Sequence, residues 1–137
     1  MIRAIVKDPL ILSKKSVPAI KEDIPIGQDL LDTLKSHSAY CAGMAANMIG
    51  VHKRIIAINT AVTYLVMFNP VFEKRGKETY ITTERCLSLE GERPAVRYMS
   101  ITVSYMDMNW KKQRLNLKGL AAQIVQHEID HCNGIII

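Results

Sequence analysis

Two different hydrophobic periods divide this chain. After Gly27 the apolar residues Leu30, Leu31 and Leu34 recur at the three-to-four-residue spacing of one helix face, which predicts a helix over about 29–38. A loop of small residues, 41–50, follows. Beyond it the texture turns β-rich: segments 54–59, 64–68, 79–83, 101–106 and 114–117 are short runs separated by turn residues. Their short connections make these strands mostly antiparallel. A last helical stretch, about 120–133, is stopped by Gly134, a residue suited to a left-handed cap. At the other end Pro9, Pro18 and Pro25 each remove a donor and restrain the preceding residue, so the N-terminal segment is expected to be extended or irregular. One helix near each end with strands between describes an α+β domain. No repeat, low-complexity tract or linker interrupts it, and residues 1–137 read as a single domain.

Composition narrows the class without naming a function. A chain of 137 residues can bury roughly two thirds of its unfolded surface and is too short for two independent cores. With 48% hydrophobic and 23% charged residues it reads as globular, and no apolar run of eighteen or more residues could span a bilayer. The N-terminus carries Asp8 and lacks the apolar core of a secretory signal. Three cysteines, an odd number spread along the chain, argue for a reducing compartment, and the cytoplasm is expected. The net charge of +5 comes from scattered residues, the densest being Lys111-Lys112-Gln113-Arg114 in an expected hairpin turn. That is a solvated surface, so neither a nucleic-acid site nor a membrane partner is expected.

The chemistry is concentrated in His127-Glu128-Ile129-Asp130-His131. On a helix this spacing puts both imidazoles on one face, where they can grip one metal while Glu128 reaches a water beside it. Two histidines leave a catalytic metal short of one protein ligand. Only six residues follow His131, and none is Glu or His, which excludes ligation from downstream. Cys132 lies about 100° around the helix and reads as a small buried hydrophobe. Cys41, in the small-residue loop, reads as structural, which leaves Cys86, just after an expected strand, as the remaining choice.

Three motifs then occur in order: Gly43-Met44-Ala45-Ala46-Asn47-Met48, Glu84-Arg85-Cys86-Leu87-Ser88, and Gln126-His127-Glu128-Ile129-Asp130-His131. They resemble the GxGxAAxQ, EGCLS and QHExDH motifs of the peptide deformylases, metallohydrolases that remove the formyl group from the N-terminal methionine of newly made proteins. The similarity covers nearly the whole chain, including Asn69-Pro70 and Asn133-Gly134. It implies the fold of that family, with antiparallel strands around the C-terminal HExxH helix. It also implies Cys86, His127 and His131 as metal ligands, with Fe²⁺ preferred and Zn²⁺ or Ni²⁺ as alternatives. Glu128 would take the proton of the attacking water and pass it to the departing amine. The backbone N–H at Leu87 would steady the oxyanion. Gly43, Met48, Gln123 and Ile124 would stand where the substrate lies, with Gly43 allowing close approach of the N-formylated peptide in an edge-strand mode. Glu84 would pair with Arg97 in a structural role.

Several positions depart from the family pattern. Met48 replaces the loop glutamine, and a thioether cannot donate to an oxyanion, so a slow deformylase is expected. Arg85 puts a long cation near the mouth of the site, and Cys41 replaces a glycine. Gln123 stands one turn before His127, where the family usually has an apolar residue; it either supplies the lost donor, changes the preferred side chain, or points into solvent. The chain ends at Ile137, without the C-terminal extension of most members, so a ribosome contact is not carried over. Beside an active deformylase stand two other readings: a catalytically impaired paralogue with a metal-retaining binding or regulatory role, and a different metal-dependent amidase. His37 and His52 are expected to be exposed without a role, and Trp110 to anchor a strand end.

Overall fold

Pro25 occupies the first turn of a helix rather than ending an irregular segment, because a first-turn proline lacks only a donor that would be unpaired anyway. In the computed structural model, which describes residues 1–137, this helix α2 spans Ile24–Ser36, beginning five residues earlier than expected. Gly27 lies inside it and is buried. A Cβ there would stand 2.4 Å from Phe68 Cζ, so the glycine lets the helix sit down on the sheet. The proline-rich N-terminus also carries one short helix, α1 (Pro9–Leu12), whose first turn is capped by the Asp8 carboxylate accepting from the Leu10 N–H at 2.9 Å.

Seven strands follow: β1 (Gly43–Ala45), β2 (Ile55–Asn59), β3 (Tyr64–Arg75), β4 (Thr79–Cys86), β5 (Leu89–Tyr98), β6 (Ser100–Met106) and β7 (Lys112–Lys118). All their pairings are antiparallel, as expected from the short connections. Five form a sheet in the order β1-β2-β3-β6-β7, and β4-β5 is a separate hairpin. Strand β5 was not anticipated: Gly91 and Pro94 within Glu90–Pro94 disguise it, and only its pairing with β4 makes it a strand. β3 runs past Pro70 because the ladder to β6 shifts register between Phe68 and Val71, where no proline N–H is required.

The final helix, α3 (Gly119–Cys132), ends before Gly134, which adopts the left-handed φ of +74° expected of a cap. Strand alternation then separates two cores. Ile56, Ile58, Met67, Ile101, Val103 and Tyr105 face Ala122, Val125, Ile129 and Cys132 of α3, while Ile55, Ala57, Val66 and Phe68 face Leu30 and Leu34 of α2. Trp110 packs edge-on against Phe68, ring centroids 5.4 Å apart. No helix is long and apolar enough to cross a membrane.

Two histidines expected to be exposed are half-buried. His52 Nε2 bonds the Ile11 carbonyl at 2.9 Å, tying the N-terminal segment to the sheet, and His37 Nδ1 bonds Thr33 O at 3.0 Å as α2 ends.

Candidate metal centre

Helix α3 carries His127 and His131 on its inner side, their rings 4.5 Å apart between centroids. Cys86 arrives from elsewhere, at the last position of β4 where the hairpin turns. One potential ligand atom from each of the three lies within 4.8 Å of the others, and all three residues are buried. The hairpin is fastened to α3 at several points. The Gln126 amide imitates a strand, accepting from the Tyr98 N–H at 2.8 Å and donating to the Tyr98 carbonyl at 2.9 Å. Arg97 reaches Asp130 at 2.6 Å.

Glu84 and Arg97 pair as expected, at 2.6–3.2 Å, yet the pair is more than structural. His127 Nδ1 donates to Glu84 Oε1 at 2.7 Å. That bond sets the tautomer and leaves Nε2 as the ring nitrogen available to a metal. Burial alone would raise the Glu84 pKa, but the bonds from His127, Arg97 and Gln123 overcome it and hold the carboxyl at about 2.

The three thiols diverge. Burial would raise Cys86 as well, but the adjacent His127 and His131 outweigh it and bring the thiol down to about 6. Its sulfur also accepts the Ser88 N–H at 3.4 Å. Burial pushes Cys41 and Cys132 up to about 12. Against the lowering effect of burial, contacts with Cys86 and Glu84 raise His127 to about 9, while Glu128 and Cys86 raise His131 to about 10. A thiolate facing two imidazoles that attract protons is a site for positive charge, and a divalent cation would displace those protons. Buried Glu128 Oε1 and His131 Nδ1 make no hydrogen bond, although they stand 3.1 Å apart. The donor set and these two unpartnered atoms fit a metal of thiolate–imidazole preference.

Cys86 and His127 of this cluster line a cavity of about 630 Å³. Glu128, Leu87, Gly43, Met48, Gln123 and Ile124 all line it, so every residue singled out for substrate or catalysis is brought to one place. Their environments differ from expectation in three respects. A Cβ on Gly43 would lie 2.5 Å from Ile124 Cγ2 and 2.9 Å from Glu128 Oε2, so this glycine admits helix α3, whatever it allows a peptide. Met48 is buried on a 3₁₀ turn (Ala46–Ile49), its sulfur accepting the Ala45 N–H at 3.5 Å. Gln123 is neither free nor pointed at solvent: its Nε2 donates to Glu84 Oε2 at 2.8 Å, and its Oε1 accepts from the Tyr80 hydroxyl at 3.4 Å.

Cys41 also lines the cavity, beyond the structural part expected of it, and Tyr40, Leu120 and Glu90 belong to its outer wall. Leu120 and Ile124 are four apart and lead into the histidine face, a spacing visible in the sequence. Tyr80 and Asp130 were missed as well. Tyr80 shares the strand face of Glu84 and Cys86 by the period of two, a signal that was available; Asp130 is revealed only by Arg97.

Residues 2–137 match the family model described as Polypeptide deformylase. The chain is 48% identical to the peptide deformylase of Clostridium beijerinckii over all of both chains. Its fold is similar to the Met-Ala-Ser-bound class I type b peptide deformylase of Acinetobacter baumannii (TM-score 0.89, 23% identity, 99% of this chain and 97% of that one). It is similar also to the peptide deformylase of Thermotoga maritima (TM-score 0.88, 25% identity, 99% and 95%).

Proposed function

This chain belongs to the peptide deformylase family, and from that premise we propose that it hydrolyses the formyl amide of N-formylated peptides, freeing an N-terminal methionine. The observation that supports the reading is the clustering of Cys86, His127 and His131, with Cys86, His127 and the neighbouring Glu128 lining one cavity. The three ligand residues would hold a divalent metal, ferrous iron by first choice and zinc or nickel as substitutes. Bound there, it supplies Lewis acidity and makes a nearby water easier to deprotonate.

The protein's own groups do the rest. Glu128 accepts a proton from the attacking water and returns it to the departing amine. The Leu87 N–H, which donates to no protein acceptor, stabilises the developing oxyanion. Glu84 keeps the His127 ring in one orientation through Nδ1. β1 is the outermost strand of its sheet, and its free edge beside the cavity suits an extended peptide. Three free cysteines suit a reducing cytoplasm.

The test is anaerobic release of formate from formyl-Met-Ala-Ser by iron- or nickel-loaded protein, beside Glu128→Ala. Turnover by the native chain with a loss of at least about 10²-fold in the variant is expected. Stoichiometric metal binding without turnover would instead favour the impaired paralogue with a binding role, the reading to which the buried, non-donating Met48 lends weight.

A further inference from the structure

Glu84 is held by two forks. Arg97 supplies one, with Nη2 on Oε1 at 2.6 Å and Nε on Oε2 at 3.0 Å. Helix α3 supplies the other: His127 Nδ1 donates to Oε1 at 2.7 Å and Gln123 Nε2 to Oε2 at 2.8 Å. The two donors of that second fork are four residues apart, one turn of the same helix face, so their spacing matches the two oxygens of a single carboxylate. The Gln123 amide has no freedom to reverse. Its NH₂ must face the carboxylate, and its carbonyl receives the Tyr80 hydroxyl at 3.4 Å.

We propose that Gln123 is a positioning residue which, by occupying Glu84 Oε2, fixes the carboxylate so that Oε1 keeps the His127 ring turned for metal binding. An apolar side chain at this position would leave Oε2 to Arg97 alone. Arg97 is itself drawn toward Asp130, 2.6 Å from Nη1, and the carboxylate could then rotate with it and lengthen the bond to His127. One Nε2 hydrogen of Gln123 is thereby committed to Glu84, which fixes the amide plane.

This inference rests on His127 being a ligand of the proposed metal, and its test separates the two ideas. Gln123→Met keeps the length of the side chain without the amide, whereas Gln123→Lys keeps a donor. In ¹⁵N-labelled metal-free protein, the His127 Nδ1–H is expected as a slowly exchanging, downfield imidazole signal in the native chain and in Gln123→Lys, and as a broadened or lost signal in Gln123→Met. Chelator competition with zinc should give a roughly 3- to 10-fold weaker affinity for Gln123→Met only, a smaller effect than removing a group that touches the ligand directly. Thermal melts of the metal-free variants check that each is folded. An unchanged imidazole signal in folded Gln123→Met, or equal losses in the Met and Lys variants, would overturn the role of Gln123. Absence of deformylase turnover in the native chain would count against the proposed function while leaving the imidazole result intact.

Discussion

At position 48 a buried thioether stands where the family pattern has an amide, and its sulfur turns inward to the Ala45 N–H. The Gln123 amide is held in place by Glu84 rather than standing at position 48. Met48→Gln should therefore raise the rate constant for formyl-Met-Ala-Ser by about 10²-fold, with little change in KM, since the added donor acts on the transition state. An unaltered rate constant in steady-state kinetics would contradict this account of position 48. The thiols offer a second check. Cys86, lowered to about 6 by its histidines, is largely thiolate at pH 7.5, whereas Cys41 and Cys132, pushed up by burial to about 12, stay protonated. In metal-free protein, iodoacetamide should label Cys86 first, its rate falling as pH drops through about 6, and bound zinc should protect it. Peptide mapping by mass spectrometry would reveal any other order.

Among the elements, α2 and β5 carry the clearest lessons. Gly27 and Pro25 read locally as breakers, which places the expected start of α2 later than its actual start at Ile24. In the fold, proline sits in the first turn, and glycine lies where Phe68 Cζ would be 2.4 Å from a Cβ. Propensity and packing now make opposite predictions for Gly27→Ala: a gain of about 1 kcal/mol from helix propensity, against an overpacking cost of about 1–3 kcal/mol in a site where Phe68 is fully buried. Packing is expected to win, giving a net loss of up to about 2 kcal/mol by urea denaturation; a stabilised variant would mean that Phe68 yields easily. β5 was invisible for the complementary reason. Its Glu90–Pro94 stretch has weak strand character, and its strand state comes from pairing with β4 and from the Gln126 amide at Tyr98.

For the whole molecule, the candidate centre joins two units that otherwise meet through side chains: the β4-β5 hairpin, carrying Cys86, and α3, packed on the five-stranded sheet. A metal held by both binds only the assembled form. At a free concentration 1,000 times its Kd it stabilises the fold by about 4 kcal/mol, so removing it with a chelator should lower Tm by roughly 10 °C. A calorimetric midpoint indifferent to chelation would show that the two units do not share an ion. What could be read from the chain alone was whatever repeats over a few residues: the α+β class, the antiparallel strands, the C-terminal helix with its glycine cap, and two imidazoles one turn apart with a carboxylate between them. These follow from the 3.6- and 2-residue periods, which are local. Folding alone decided how the hairpin docks to bring the Cys86 sulfur within reach, why Gly43 must be small, where the Met48 sulfur points, and that the Gln123 amide meets Glu84. Each of those depends on groups from distant parts of the chain competing for the same few ångströms, and no period in the sequence encodes the outcome.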